Sequence, residues 1–190
     1  HPRLYLGLLL GKARDIPTQT TPCERVLLYE EAKAASTGLP MIEVGSYLGA
    51  SSVVLAEAIR RSPNNACSRL YCVDTWTNEA MTEGKRETKD DFSKHCSAWG
   101  KFVIPVVGDS KTVALPLEGY CDLVFLDGDH SYEGTWADIE RYGAMVRPGG
   151  RLVLHDHVYY SDVGACVGRL MTSREWYISR SIGNIISLVK

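Results

Sequence analysis

The sequence predicts a doubly wound α/β fold: a mostly parallel seven-stranded sheet closed by a C-terminal antiparallel hairpin. Three observations predict it. Five short apolar or β-branched runs, at residues 41–44, 70–74, 103–107, 121–126 and 151–155, alternate with helical segments. That alternation argues for a parallel sheet covered on both faces. Within the fourth run, Leu123-Val124-Phe125-Leu126 is continuously apolar, which suits a central buried strand. Two further strand candidates, 175–180 and 184–189, flank Ser181-Ile182-Gly183 and read as a hairpin at the sheet's edge.

The elements follow in order. Thr21-Pro22-Cys23-Glu24 carries a helix start, with Pro in the first turn and Glu three residues after the Thr. That helix should run to about Ser36 and stop at Gly38. Further helices are expected over 51–61, 87–98, 111–115 (a weak pattern), 132–145 and 161–172. The polar stretch from Thr75 to Lys94 reads as a solvated loop and helix face, with a substrate lid as its alternative. A chain of 190 residues is long enough for one domain with its own core. Its expected parts are an N-terminal helical segment (1–38), a ligand-binding core (39–160) and a C-terminal helix and hairpin (161–190).

Composition sets wide bounds. The apolar share of 45% and charged share of 23% are those of an ordinary globular protein. A net charge of −2 makes no electrostatic case for nucleic acid or an acidic membrane. The apolar run Leu4 to Leu10 is too short to span a bilayer, and it lacks the flanks of a signal peptide. The chain begins at His1 without a methionine, so what precedes it stays open. Six cysteines, at 23, 67, 72, 96, 121 and 166, form no Cys-x-x-Cys pair and read as reduced thiols. A cytoplasmic setting is the expectation.

The run Glu43-Val44-Gly45-Ser46-Tyr47-Leu48-Gly49-Ala50-Ser51 joins the first strand to an apolar helical pattern. Glycine lets the backbone approach a ligand, and a helix start offers unpaired N–H groups. The spacing is acidic-x-Gly-x-x-x-Gly. A dinucleotide pyrophosphate is served by Gly-x-Gly-x-x-Gly, and Glu43 would repel a diphosphate. A cofactor with a cationic amino group and no phosphate fits better, and S-adenosyl-L-methionine is one. An ordinary tight turn is the plain alternative.

In an open α/β sheet, ligands sit at the carboxyl ends of the strands. All five strands end in acidic or histidine-rich residues: Glu43; Asp74; Gly108-Asp109-Ser110; Asp127-Gly128-Asp129-His130; and His155-Asp156-His157. Packing does not call for five such ends on one edge. Asp74 is placed to hold ribose hydroxyls, Gly108-Asp109-Ser110 to meet an adenine, and Trp76 to wall the ribose or adenine or simply to pack. Asp127 and Asp156 end neighbouring strands, so their carboxylates can converge on Mg2+, with His157 as a third ligand. A His–carboxylate cluster also suits Fe2+ or Zn2+. His155 and His157 alternate along an extended segment and Asp156 points the other way, unless the chain turns after His155. His155 reads as structural. His130, three residues past Asp127, suits a general base. Asp129 reads both as a helix cap and as a rival base.

Glu43, Gly45, Tyr47, Gly49 and Ser51 resemble the motif of class I S-adenosylmethionine-dependent methyltransferases, within them the catechol-type metal-dependent O-methyltransferases. Asp122 to Tyr132 and Arg147-Pro148-Gly149-Gly150 look more like the bacterial methyltransferases of sugars and secondary metabolites. The resemblance covers roughly residues 24–160. It implies a Rossmann-like methyltransferase fold. It also implies cofactor contacts from Gly45, Tyr47, Ser51, Asp74, Asp109 and Ser110, and Mg2+ on Asp127 and Asp156; Glu43, Ser46, Gly49, Trp76, Gly108 and Asp127 complete the expected cofactor-contacting set. Two departures stand out. Catechol-type enzymes carry Asn where this chain has His157, and a Lys base where it has His130.

The sequence therefore reads as a metal-assisted O-methyltransferase acting on a hydroxylated small molecule, a sugar or secondary metabolite, with a homo-oligomer as an open expectation. Two alternatives remain. One is a His/Asp metal hydrolase or oxygenase. The other is a binding module that keeps the cofactor and has lost transfer.

Overall fold

The computed structural model describes residues 1–64, 68–78 and 84–190. The Thr75–Lys94 stretch is described on either side of 79–83, and Cys67 lies outside the described residues. The other five cysteines are free thiols.

Seven strands form one sheet: β1 (Met41–Val44), β2 (Leu70–Asp74), β3 (Val103–Val107), β4 (Cys121–Leu126), β5 (Val146–Leu154), β6 (Tyr177–Ile182) and β7 (Ile185–Val189). Their order is β3-β2-β1-β4-β5-β7-β6. The first five are parallel, and β7 is antiparallel to both β5 and β6. The order reverses between β1 and β4, which sets the crevice between their carboxyl ends. Every residue of β4 is buried, Leu123 to Leu126 as their continuous apolarity requires and Asp122 as a hydrogen-bonded carboxylate.

Side chains alternate across the sheet into two cores. Met41, Leu123 and Phe125 pack with α2 (Pro22–Ala35) and α3 (Ala50–Arg60). Ile42, Val124 and Leu126 face the opposite layer, which includes α5 (Tyr132–Asp138) and α6 (Ser161–Thr172). Two more helices complete the count, α1 (Pro2–Leu10) and α4 (Lys89–Cys96). No helix among the described residues is long and apolar enough to cross a membrane.

Local chemistry fixes several boundaries. Thr21 accepts a hydrogen bond from the Glu24 N–H, and Glu24 accepts one from the Thr21 N–H at 2.6 Å, a full capping box at the start of α2. The helix expected over 132–145 is an α-helix to Asp138 continued by a π-turn over Ile139–Gly143. Residues 111–115 form a turn and not a helix. There the Asp109 carbonyl accepts from the Thr112 and Val113 N–H groups, a single turn that the following residues do not continue. The hairpin turns at Gly183-Asn184, slightly beyond the expected Ser181-Ile182-Gly183, because Gly183 takes the left-handed φ of +59° that the turn needs.

Candidate active site

The carboxyl ends of β1 to β5 share one edge, and a cleft of about 750 Å³ opens there. Its wall comes from the turn after β1, the ends of β2, β3, β4 and β5, and the segment Pro17-Thr18-Gln19 that precedes α2.

The β1–α3 turn is built from left-handed residues: Gly45 at φ +86°, Tyr47 at +45° and Gly49 at +89°. A Cβ on Gly45 would run into the Asp127 carbonyl, so glycine alone lets the turn lie against the end of β4. Tyr47 is no glycine and needs holding. Its N–H donates to Asp74 Oδ2 at 2.8 Å, and its carbonyl accepts from the Trp76 indole N–H at 3.0 Å. Asp74 Oδ1 accepts from the Trp76 N–H at 2.6 Å. The end of β2 thus pins the turn, and Asp74 still faces the cleft.

Two residues expected at the ligand lie behind the wall instead. Glu43 is fully buried. Its Oε2 accepts from the Ser46 hydroxyl at 2.8 Å and from the Ser52 hydroxyl. Burial pushes its carboxyl above the usual range, although serine hydroxyls oppose the shift. Glu43 shares the face of Met41 on β1, so its side chain enters the core on the α3 side and organises the turn from beneath. Trp76 is buried and packs on Phe92 with ring centroids 4.9 Å apart. Gly45, Ser46, Tyr47, Ser51, Gly108, Asp109, Ser110 and Asp127 all line the cleft. Gly49 caps α3 next to it. The 108–110 loop is rigid: Asp109 Oδ1 accepts from the Lys111 N–H at 2.9 Å, and the Ser110 carbonyl accepts from the Tyr142 hydroxyl at 2.6 Å.

At the far end stand Asp127, His130, His155 and Asp156. Single ligand atoms of Asp127, His130 and Asp156 lie within 4.8 Å of one another. His130 Nε2 is 3.1 Å from Asp156 Oδ2 and 3.9 Å from Asp127 Oδ1. Its ring stacks on Tyr160, centroids 4.2 Å apart and 7° from parallel. His155 is buried with Nδ1 3.2 Å from Asp127 Oδ1 and 3.4 Å from Asp156 Oδ1. These contacts lie off the N–H axis, so they are ion-pair contacts without an aligned hydrogen bond.

The electrostatics follow from two carboxylates facing two imidazoles. Burial opposes charge on His130, yet Asp127 and Asp156 outweigh it and raise its pKa to about 9. The same balance raises His155 to about 10. Burial raises the two carboxyls, but the histidines overcome it and hold Asp127 below, and Asp156 well below, the usual range.

The chain does turn after His155. Asp156 has φ +62°, a left-handed conformation uncommon for a non-glycine residue. The reversal brings both His155 and Asp156 to the cleft and carries His157 away. His157 Nδ1 lies 3.1 Å from the Asn184 carbonyl, and His157 is absent from the Asp127–His130–Asp156 group. His155, read as structural, is in the cleft wall because it too follows a strand end; that position was the available signal. Tyr160, Lys111 and Pro17-Thr18-Gln19 also line the cleft, and nothing in their spacing marks them.

The N-cap of α5 is Ser131, whose hydroxyl accepts from the Gly134 N–H at 3.1 Å, and not Asp129. Asp129 Oδ1 accepts from the Ser131 N–H at 2.9 Å at the start of α5, and its Oδ2 pairs with Lys111 Nζ at 2.9 Å within the cleft wall. Burial raises its carboxyl, but the Ser131 N–H and Lys111 bring it below the usual range.

The donor set suits a divalent cation. Two carboxylates supply hard oxygens for Mg2+, and an imidazole nitrogen widens the choice to Mn2+, Fe2+ or Zn2+.

The profile of the family described as "Methyltransferase domain" matches residues 42–157, more than half of the chain, from β1 to the cleft end of β5. Solved structures are similar over nearly all of it. The O-methyltransferase NovP shares 12% identity at a TM-score of 0.78, over 96% of this chain and 87% of that one. An O-methyltransferase from Bacillus cereus, in complex with SAH, shares 14% at 0.68, over 100% and 91%. The O-methyltransferase TomG from Streptomyces achromogenes, involved in tomaymycin synthesis and in complex with SAM, shares 18% at 0.66, over 99% and 95%. At these identities the likeness is one of fold.

Proposed function

The chain belongs to the methyltransferase-domain family, and from that premise we propose that it is an S-adenosylmethionine-dependent O-methyltransferase acting on a hydroxyl of a small molecule. One observation carries the reading. A glycine turn pinned by Asp74 and a carboxylate–imidazole cluster suited to a hydroxyl share one cleft.

In this reading Asp74 holds the ribose diol with the lone pairs its backbone contacts leave free, and Gly108-Asp109-Ser110 meets the adenine. That would leave the Asp127–His130 end of the cleft for the transferable methyl group and its acceptor. A divalent cation on Asp127 and Asp156 would supply a Lewis acid that acidifies the acceptor hydroxyl. With the charge of the two Asp residues offset by such a cation, His130, whose pKa they raise to about 9, could take the hydroxyl proton at Nε2; the oxygen would then take the methyl group, the O–CH3 bond forming as the S–CH3 bond breaks. S-adenosylhomocysteine leaves. Most of the rate gain comes from holding the oxygen in line with the methyl group. Tyr160, stacked on the His130 ring, fixes the imidazole plane.

The distance from His130 Nε2 to the two carboxylates favours a second assignment, in which His130 is the cation's third donor and Asp129 is the base. Rate profiles of His130→Ala and Asp129→Ala over roughly pH 5–9, which brackets the ordinary histidine pKa, decide between them. Loss of about 10²–10⁴-fold in kcat marks the base. His130→Ala with a wild-type profile beside a collapsed Asp129→Ala moves the role to Asp129.

Incubation with S-adenosylmethionine and a panel of sugars, phenols and catechols, read by mass spectrometry with and without chelator, tests the activity. A methylated product formed only with a divalent cation supports the full reading. Product in chelator removes the metal. Cofactor binding with no product from any acceptor favours a silent binding module.

A further inference from the structure

Asn184 lies in the β6–β7 turn, near the C-terminal end of the chain and outside every strand end that builds the cleft. Nonetheless, its side chain reaches Asp156. The amide Nδ2 donates to Asp156 Oδ1. The amide Oδ1 accepts two backbone N–H groups, from Val158 at 3.1 Å and Tyr159 at 2.8 Å. Only an oxygen can accept from those N–H groups, so the amide orientation is forced and the NH2 must face Asp156.

The turn is itself locked from the other side. The Asn184 N–H donates to Glu24 Oε1 at 2.7 Å, and its carbonyl lies 3.1 Å from His157 Nδ1. A Cβ on Gly183 would come within 2.7 Å of the same Glu24 oxygen, so the turn sits directly on the first turn of α2. Asn184 thus has no slack, and it grips a residue that needs gripping. Asp156 sits at φ +62°, with its carbonyl tied to the Tyr160 N–H at 2.9 Å. With Oδ1 taken by Asn184, Oδ2 turns toward His130 and the cleft.

We infer that Asn184 is a positioning residue for the carboxylate of Asp156: it anchors one oxygen, holds the 156–159 reversal, and so presents the other oxygen to a divalent cation. The inference rests on the metal reading proposed above. A partner that orients a ligating carboxylate typically matters about 10- to 100-fold in metal affinity.

Calorimetric titration of the full chain with Mn2+, and separately with S-adenosylhomocysteine, tests it without any acceptor. Asn184→Ala should weaken Mn2+ by about 10- to 100-fold and leave S-adenosylhomocysteine affinity unchanged, since Asn184 is not among the residues that line the cleft. Wild-type Mn2+ affinity in a variant that still binds S-adenosylhomocysteine overturns the role of Asn184. Should Asn184→Ala lose both ligands, the comparison passes to Asn184→Asp, which keeps an oxygen acceptor for the Val158 and Tyr159 N–H groups but replaces the NH2 that donates to Asp156 with an oxygen that cannot donate. Unchanged Mn2+ affinity there overturns the inference. A wild-type protein that takes up no Mn2+ overturns the metal reading itself, and this inference with it.

Discussion

Gly45 shows how one residue sets the cleft. Its left-handed φ and the Asp127 carbonyl beside it leave no room for a side chain. Gly45→Ala should destabilise the fold by roughly 1–3 kcal/mol and push the turn off the end of β4. Chemical denaturation beside a cofactor titration reads both effects, and an unshifted midpoint would show that the turn adapts. Asp74 acts differently. Its oxygens already serve the Tyr47 and Trp76 N–H groups, so Asp74→Ala should cost roughly 1.5–3 kcal/mol of cofactor affinity through the lost ribose contact and loosen the turn as well. Strand-end residues such as Asp74 and Asp127 were legible because a parallel sheet places all its carboxyl ends on one edge. Side-chain direction was not. Whether Glu43 faces ligand or core depends on a half-turn of strand. Whether Asp156 or His157 faces the cleft depends on a left-handed residue that is not glycine, and no sequence pattern marks it.

At the scale of elements, the site hangs on contacts made far from it. Asp122, buried at the opposite end of β4, accepts from the Thr37 N–H at 2.7 Å, the Leu39 N–H at 3.1 Å and Arg147 Nε at 2.7 Å. It ties the loop before β1 to the start of β5. Asp122→Ala strands Arg147 and four donors, the Thr37 N–H and hydroxyl and the Gly38 and Leu39 N–H groups, and should cost roughly 3–5 kcal/mol. Its folded fraction should bind cofactor normally, because the cleft lies at the other strand end. A cofactor affinity that falls in step with stability would show that the two ends of β4 are coupled. The capping box of α2 was readable from Thr21 and Glu24 four positions wide. The second task of Glu24, seating the Gly183-Asn184 turn, was not, since the two lie 160 residues apart. The small shift of the hairpin turn has the same origin: its centre is set by a tertiary seat on α2 and not by the turn residues alone.

For the whole molecule, charge at the cleft makes stability depend on pH. His130 and His155 have raised pKa values, about 9 and 10. Their contribution is full below the unfolded value near 6.5 and is lost as pH rises through those folded values. Asp127 and Asp156 are lowered. Theirs is full above an unfolded value of about 3.9 and is lost as pH falls through the folded ones. Metal-free protein should therefore have its highest Tm between about pH 4 and 6.5, declining toward pH 10. His155→Gln should flatten the alkaline decline, and a Tm that climbs from pH 7 to 10 would contradict the pairing. The doubly wound order was legible from alternating strands and helices, and the terminal hairpin from its paired runs, because both depend on period and length. The N-terminal contribution to the cleft was not, since Pro17-Thr18-Gln19 acts through position and not through a motif. The central claim is that this cleft holds S-adenosylmethionine. Calorimetry of the full chain with S-adenosylhomocysteine and with NAD tests it most directly. The expected result is saturable binding of S-adenosylhomocysteine that Asp74→Ala weakens, with no heat from NAD. Binding of NAD without S-adenosylhomocysteine would contradict it.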